Sequence, residues 1–152
     1  FWEANPRRGL DFARELARRP RGSSRVTNPA VVGAVIDLGL CLDLTTTAGI
    51  DSVRLAHEVL VELVNTANPP GKLPENSKDA LRRNLDCAVI NILHEITRDA
   101  GKPPFDTVKG VFIEGGEIYS CSGFRERTHI QVCVRSPDCI KGVFRVPAAQ
   151  LS

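Results

Sequence analysis

The amino-acid sequence predicts one α+β domain spanning residues 1–152, with helices early and strands late. Three stretches with apolar residues at helical spacing all fall before Gly101. The last third instead shows short β-branched runs and strict alternation. A regular strand–helix–strand alternation is missing, which argues against a doubly wound sheet. The 152 residues, 42% hydrophobic and 25% charged, suffice for a buried core and exclude a disordered chain.

The first helix opens at Asn5-Pro6. Asn5 can accept from a free N–H of the first turn, and Pro6 is tolerated at the first helical position. Leu10, Ala13, Leu16 and Ala17 then recur on one face, and the helix is expected to stop before Pro20. Residues 21–29 read as a loop. Residues 30–38 read as a buried strand rich in Val and Ile, and residues 41–44 extend or re-enter the sheet. Thr45, Thr46 and Thr47 offer a cap for a second helix over 48–65, with Val53, Ala56, Leu60, Val61 and Val64 as its stripe.

After a Pro/Gly-rich connector, Ser77 is placed to cap a third helix over 78–100. Leu81, Leu85, Ala88, Val89, Ile92, Leu93 and Ile96 make its apolar face. Gly101 and two prolines stop it. A strand over 107–114, a turn at Gly115-Gly116 and a short strand near Ile118-Tyr119 follow. Residues 120–128 read as a loop, 129–135 as an alternating strand, and 142–146 as a final strand.

A net charge of +2 demands neither nucleic acid nor anionic lipid as a partner. Arg7 to Arg25 nevertheless holds seven arginines against Asp11 and Glu15, either a solvated face or a patch that touches phosphates. No stretch approaches the ~18 apolar residues of a membrane span. No signal peptide is visible, and a chain that opens on Phe1 and lacks Met reads as an internal piece of a longer protein. Five cysteines, an odd number without C-x-x-C spacing, favour a reducing compartment, and the expected location is cytoplasmic. Cys87 and Cys133 read as small core hydrophobes. His94, beside Glu95 near a helix end, reads as a partner of the helix dipole. The histidines are too scattered for a metal site.

The most informative segment is His129 to Arg135. Side chains alternate along a strand, so Ile130, Val132 and Val134 share a core face. His129, Gln131, Cys133 and Arg135 share the other, which either lines a cleft or is a half-exposed sheet face. The preceding loop carries Phe124, Arg125, Glu126 and Arg127, either a grip for a substrate or an exposed loop with a weak ion pair.

Two blocks resemble a known family. The opening FWEANPRRGLDFARELA and the closing TVKGVFIEGGEIYSCSGFRERTHIQVCVRSPDCIKGVF look like the second and third conserved stretches of bacterial, toxin-type ADP-ribosyltransferase-like proteins, and AVIDLGLCLDL recurs there as a strand after the first helix. The resemblance implies a split antiparallel sheet with a helical insertion, its first strand falling before Phe1. It also implies NAD as the cofactor and a macromolecular acceptor. Gln131 would hold the third position of the active-site trio, where a Gln replaces the usual Glu and weakens support for a developing positive charge. His129 and Glu126 would join it as catalytic residues. Phe1 and Trp2 would bind NAD, and Phe124, Arg125 and Arg127 would meet the acceptor. An antitoxin is the partner such a toxin implies. Two other readings remain open: a non-catalytic binding module on the same fold, and nucleic-acid binding through the arginine-rich stretch.

Overall fold

The computed structural model describes residues 1–18, 26–77 and 82–151. They form a mixed α+β structure with three α-helices and two small sheets. The chain divides into two compact units, one of residues 1–42 and 106–152, the other of residues 43–105. Among the described residues no helix is long and apolar enough to cross a membrane.

In the first unit, α1 (Pro6–Arg18) starts as its sequence dictates, with Asn5 Oδ1 accepting from the Arg8 N–H at 3.0 Å. Arg19, Arg21 and Arg25 of the arginine-rich stretch lie outside the described residues. One sheet pairs β1 (Val32–Ile36) antiparallel with β5 (Ile140–Arg145), with an irregularity between Val35 and Ile36. The expected buried strand over 30–38 is thus shorter, and it is not buried: Val32 and Val35 face solvent. Its β-branched bulk fits any pleated surface, and a two-stranded sheet leaves much of that surface open.

The other sheet has the order β2 (Cys41–Asp43), β3 (Thr107–Phe112), β4 (His129–Val134). β3 and β4 pair antiparallel from Thr107↔Val134 to Phe112↔His129. Asp106 organises the start of β3. Its carboxylate accepts from the Leu40 N–H at 2.9 Å, and its carbonyl accepts from Arg135 and Ser136 at 2.8 and 3.1 Å. Gly39, at φ 55°, leaves room for that carboxylate, since a Cβ there would lie 2.6 Å from Asp106 Oδ2. Thr107 is fully buried and donates its hydroxyl to the Leu38 carbonyl at 2.6 Å. Leu10, Leu42, Val132, Cys139 and Val146 are buried. Burial, with Asp106 and Asp37 near, pushes the Cys139 thiol above the usual range.

Between β3 and β4 the chain forms a narrow hairpin that does not reverse at Gly115-Gly116 as expected: Gly115 takes φ 83°, but the Arg127 and Glu126 N–H groups donate to the Glu114 and Gly116 carbonyls on either side of it, and the arms run on together. Only a single bridge, Glu117↔Arg125, appears where a strand was expected near Ile118. The reason is local: Cys121 takes φ 61° and the Ser122 N–H donates to the Tyr119 carbonyl, a turn that ends pairing.

In the second unit, α2 (Thr47–Thr66) is capped by Thr46, whose hydroxyl accepts from the Gly49 N–H at 3.1 Å. Ala56 and Leu60 are its buried face. α3 (Asn84–Asp99) starts later than expected. Ser77 donates its backbone N–H to the Arg82 carbonyl, and residues 78–81, with Leu81, lie outside the described residues. The first-turn N–H groups of Leu85 and Asp86 donate instead to Asn76 Oδ1, at 3.0 and 3.3 Å. The cap therefore comes from the connector. α3 buries Val89, Leu93 and His94. His94 is not a surface partner of the helix dipole: it is 1% accessible and meets Phe105 edge-on at 5.7 Å.

Two cysteines expected in the core are exposed. Cys87 lies two residues before buried Val89, about 200° around the helix. Cys133 follows buried Val132 and so points to the opposite face of β4.

Candidate functional site

The site is built around β4. On one side Gln131 pairs with Gly110 of β3. On the other, Trp2 bridges Gln131: the Val132 N–H donates to the Phe1 carbonyl at 2.9 Å, and the Glu3 N–H to the Ile130 carbonyl at 3.0 Å. The segment 1–3 thus adds itself to the sheet edge and carries Trp2 to the middle of the strand.

His129 is expected on an open polar face but is only 6% accessible. Its ring stacks on Phe112 at 6.0 Å between centroids and tilts against Trp2 at 6.3 Å. Its Nδ1 lies 2.5 Å from the Arg127 carbonyl, which can only accept, so the neutral ring carries its proton there. Nε2 is then an acceptor, and the Gln131 amide donates to it at 2.7 Å. This fixes the amide: its nitrogen is engaged, and its Oε1 has no protein partner among the described residues. Of the three expected catalytic residues, two are brought into contact. Glu126 stays on the hairpin, accepting from the Gly116 N–H at 3.2 Å, with no hydrogen bond to Gln131 or His129.

Arg8, Phe12 and Glu114 complete the cluster; the sequence offers Arg8 only as part of the arginine-rich stretch and Glu114 only as one of several scattered carboxylates near strand ends. Phe12 packs on Trp2 at 5.3 Å. The Arg8 guanidinium lies 6.0 Å from the Trp2 ring and 5.8 Å from Phe12, and pairs with Glu114 at 2.8 Å. Its Nε and Nη1, and Trp2 Nε1, are buried without a hydrogen-bond partner among the described residues. The signal was present but faint: Arg8 and Phe12 stand four residues apart, on one helix face. Gly9 lets the helix approach, since a Cβ there would come within 3.1 Å of Val31 Cγ2 and 3.5 Å of Trp2 Cε3.

α1 separates two clefts. Its apolar side, with Phe1, Trp2, Phe12 and Phe144, lines one of about 960 Å³ that has no Lys or Arg among the described residues around it. Its arginine side faces a polar cleft of about 430 Å³, closed by Glu126, Arg127 and Thr128. Gln131 and His129 line neither; Trp2 links them to the larger one. Of the loop residues, Phe124 is exposed, Arg125 pairs with Glu117 at 3.2 Å, and Arg127 pairs with Glu15 of α1 at 2.9 Å. Among the described residues no His, Cys, Asp and Glu side chains gather to hold a metal ion. Comparison of the chain with protein-family models, curated proteins and solved structures finds no match.

Proposed function

We propose that Trp2, His129 and Gln131 form the active site of an NAD-dependent ADP-ribosyltransferase-like domain acting on a macromolecular acceptor. The observation that supports this most is the hydrogen-bond relay from Gln131 through His129 to the Arg127 carbonyl, which holds the amide with Oε1 free. The larger cleft has the volume of a small-molecule site and an aromatic wall containing Trp2. These features fit the nicotinamide–ribose half of NAD; among the described residues the lining supplies no cationic side chain for its diphosphate.

NAD supplies the ADP-ribosyl group, released at the bond between nicotinamide and ribose. Gln131 lies outside the lining of the larger cleft, so NAD seated against Trp2 must extend past it toward β4 for Gln131 Oε1 to accept from a ribose hydroxyl; there the amide presents the negative end of a fixed dipole to the charge that develops. A dipole does this less strongly than a carboxylate, so turnover is slow. His129 is a positioning residue: it orients the amide and is itself held by Arg127. Trp2 and Phe1 offer the apolar surface for the nicotinamide ring. Phe124, Arg125 and Arg127 lie on the loop that meets the acceptor. An antitoxin that covers this loop and a cytoplasmic location belong to the same reading.

A second reading, a binding module without turnover, is favoured by the neutral Gln131 and the buried His129. Nicotinamide release from NAD, wild type against Gln131→Ala, separates the two. Release that disappears in a variant with unchanged Tm is the expected result. No release, with no rise in Tm on adding NAD, leaves the binding module.

A further inference from the structure

We propose that the cleft between α1 and residues 126–128 binds a phosphate group. The proposal goes beyond the NAD reading and does not rest on it. Five arginines line the cleft, Arg7, Arg8, Arg14, Arg18 and Arg127, with three acids, Asp11, Glu15 and Glu126. The acids do not satisfy the bases. Arg7 and Arg14 share Asp11, at 3.5 and 3.3 Å. Arg127 takes Glu15, and Arg18 has no ion pair among the described residues. Arg8 is a built-in element: its side chain is 10% accessible, and one nitrogen pairs with Glu114. The other two nitrogens are buried and have no hydrogen-bond partner among the described residues. Packed against Trp2 and Phe12 and closed off from solvent, they give the cleft a positive charge rather than hydrogen bonds.

The ligand chemistry follows from the donors. Guanidinium groups match phosphate oxygens in planar, paired hydrogen bonds, and arginines converging from a helix and a loop suit a tetrahedral anion better than a flat carboxylate. A volume of about 430 Å³ admits inorganic phosphate or a phosphomonoester of nucleotide size.

The test is calorimetric titration of the full chain with inorganic phosphate, against chloride at matched ionic strength, and then with AMP. Saturable phosphate binding is expected. The double variant Arg14→Gln, Arg18→Gln should weaken it at least about tenfold, since each removes a charge-assisted donor. Asp11→Asn, which frees Arg7 and Arg14, should tighten it. All three residues are at the surface, so Tm should hold. AMP binding equal to phosphate assigns the site to the phosphate alone, and AMP binding more than about tenfold tighter (~1.4 kcal/mol) assigns it to a nucleotide; both support it. Phosphate that does not saturate, or an affinity unchanged in the double variant, overturns it. If that variant loses Tm, Asp11→Asn decides, and an unchanged affinity there overturns it equally.

Discussion

The two units are held together by different means. Residues 43–105 form a helical pair whose buried positions, Ala56, Leu60, Val89 and Leu93, repeat at intervals of four within each helix. The other unit joins residues far apart in the chain. Arg8 reaches Glu114 across 106 positions, Arg127 reaches Glu15 across 112, and Trp2 meets Gln131 on a strand more than three quarters of the chain away. Apolar periodicity builds the first kind of structure. Polar and aromatic contacts, each specific to its partner, build the second, and the candidate site lies there.

The largest expected effect tests the helical pair. Leu93→Ala should cost about 2–5 kcal/mol through the cavity it leaves, seen as a marked fall in Tm. Next, Glu114→Gln should cost about 1–3 kcal/mol, because among the described residues two buried nitrogens of Arg8 are unpartnered and Glu114 is its one ion-pair partner. If Glu114→Gln proves as stable as wild type, the contrast between the units fails. Asn76→Ala, which removes the shared acceptor of two first-turn N–H groups, should cost about 1 kcal/mol and lower helicity slightly.

The smallest effect is a reactivity difference in the first unit. Cys139, with its thiol pushed up by burial, should be alkylated far more slowly at pH 8 than exposed Cys121 and Cys133, as read by mass spectrometry. The linkage has a definite sign. The folded thiol holds its proton to higher pH than the unfolded one. The contribution is therefore full below the ordinary cysteine range and is lost as pH rises through it toward the raised value.

The same contrast explains what could be read in advance. The mixed α+β class, the Asn5 and Thr46 caps and the stripes of α2 and α3 follow from short-range spacing, and they are found where spacing puts them. The start of α3 was misplaced because its cap is Asn76, eight residues before Asn84, with no periodicity to reveal it. The Val-rich composition of β1 predicts a core strand, but composition says nothing about how many strands will cover it. At the site, alternation along β4 correctly put His129 and Gln131 on one face. It gave no hint that Trp2 would cover His129, or that Arg8 and Glu114 would meet beside Trp2. Those contacts require the chain to return on itself, which no local pattern records.

Trp2 is the chain's single tryptophan, and residues 43–105 contain none. The indole, against Phe12 and His129, is therefore an optical probe of the first unit alone. Circular dichroism at helical wavelengths is weighted the other way, since α2 and α3 hold 20 and 16 residues against 13 in α1. Two spectrometers thus follow two halves of one molecule without any label. Melting curves that coincide describe a chain that unfolds in one cooperative step, and curves that separate assign a stability to each unit.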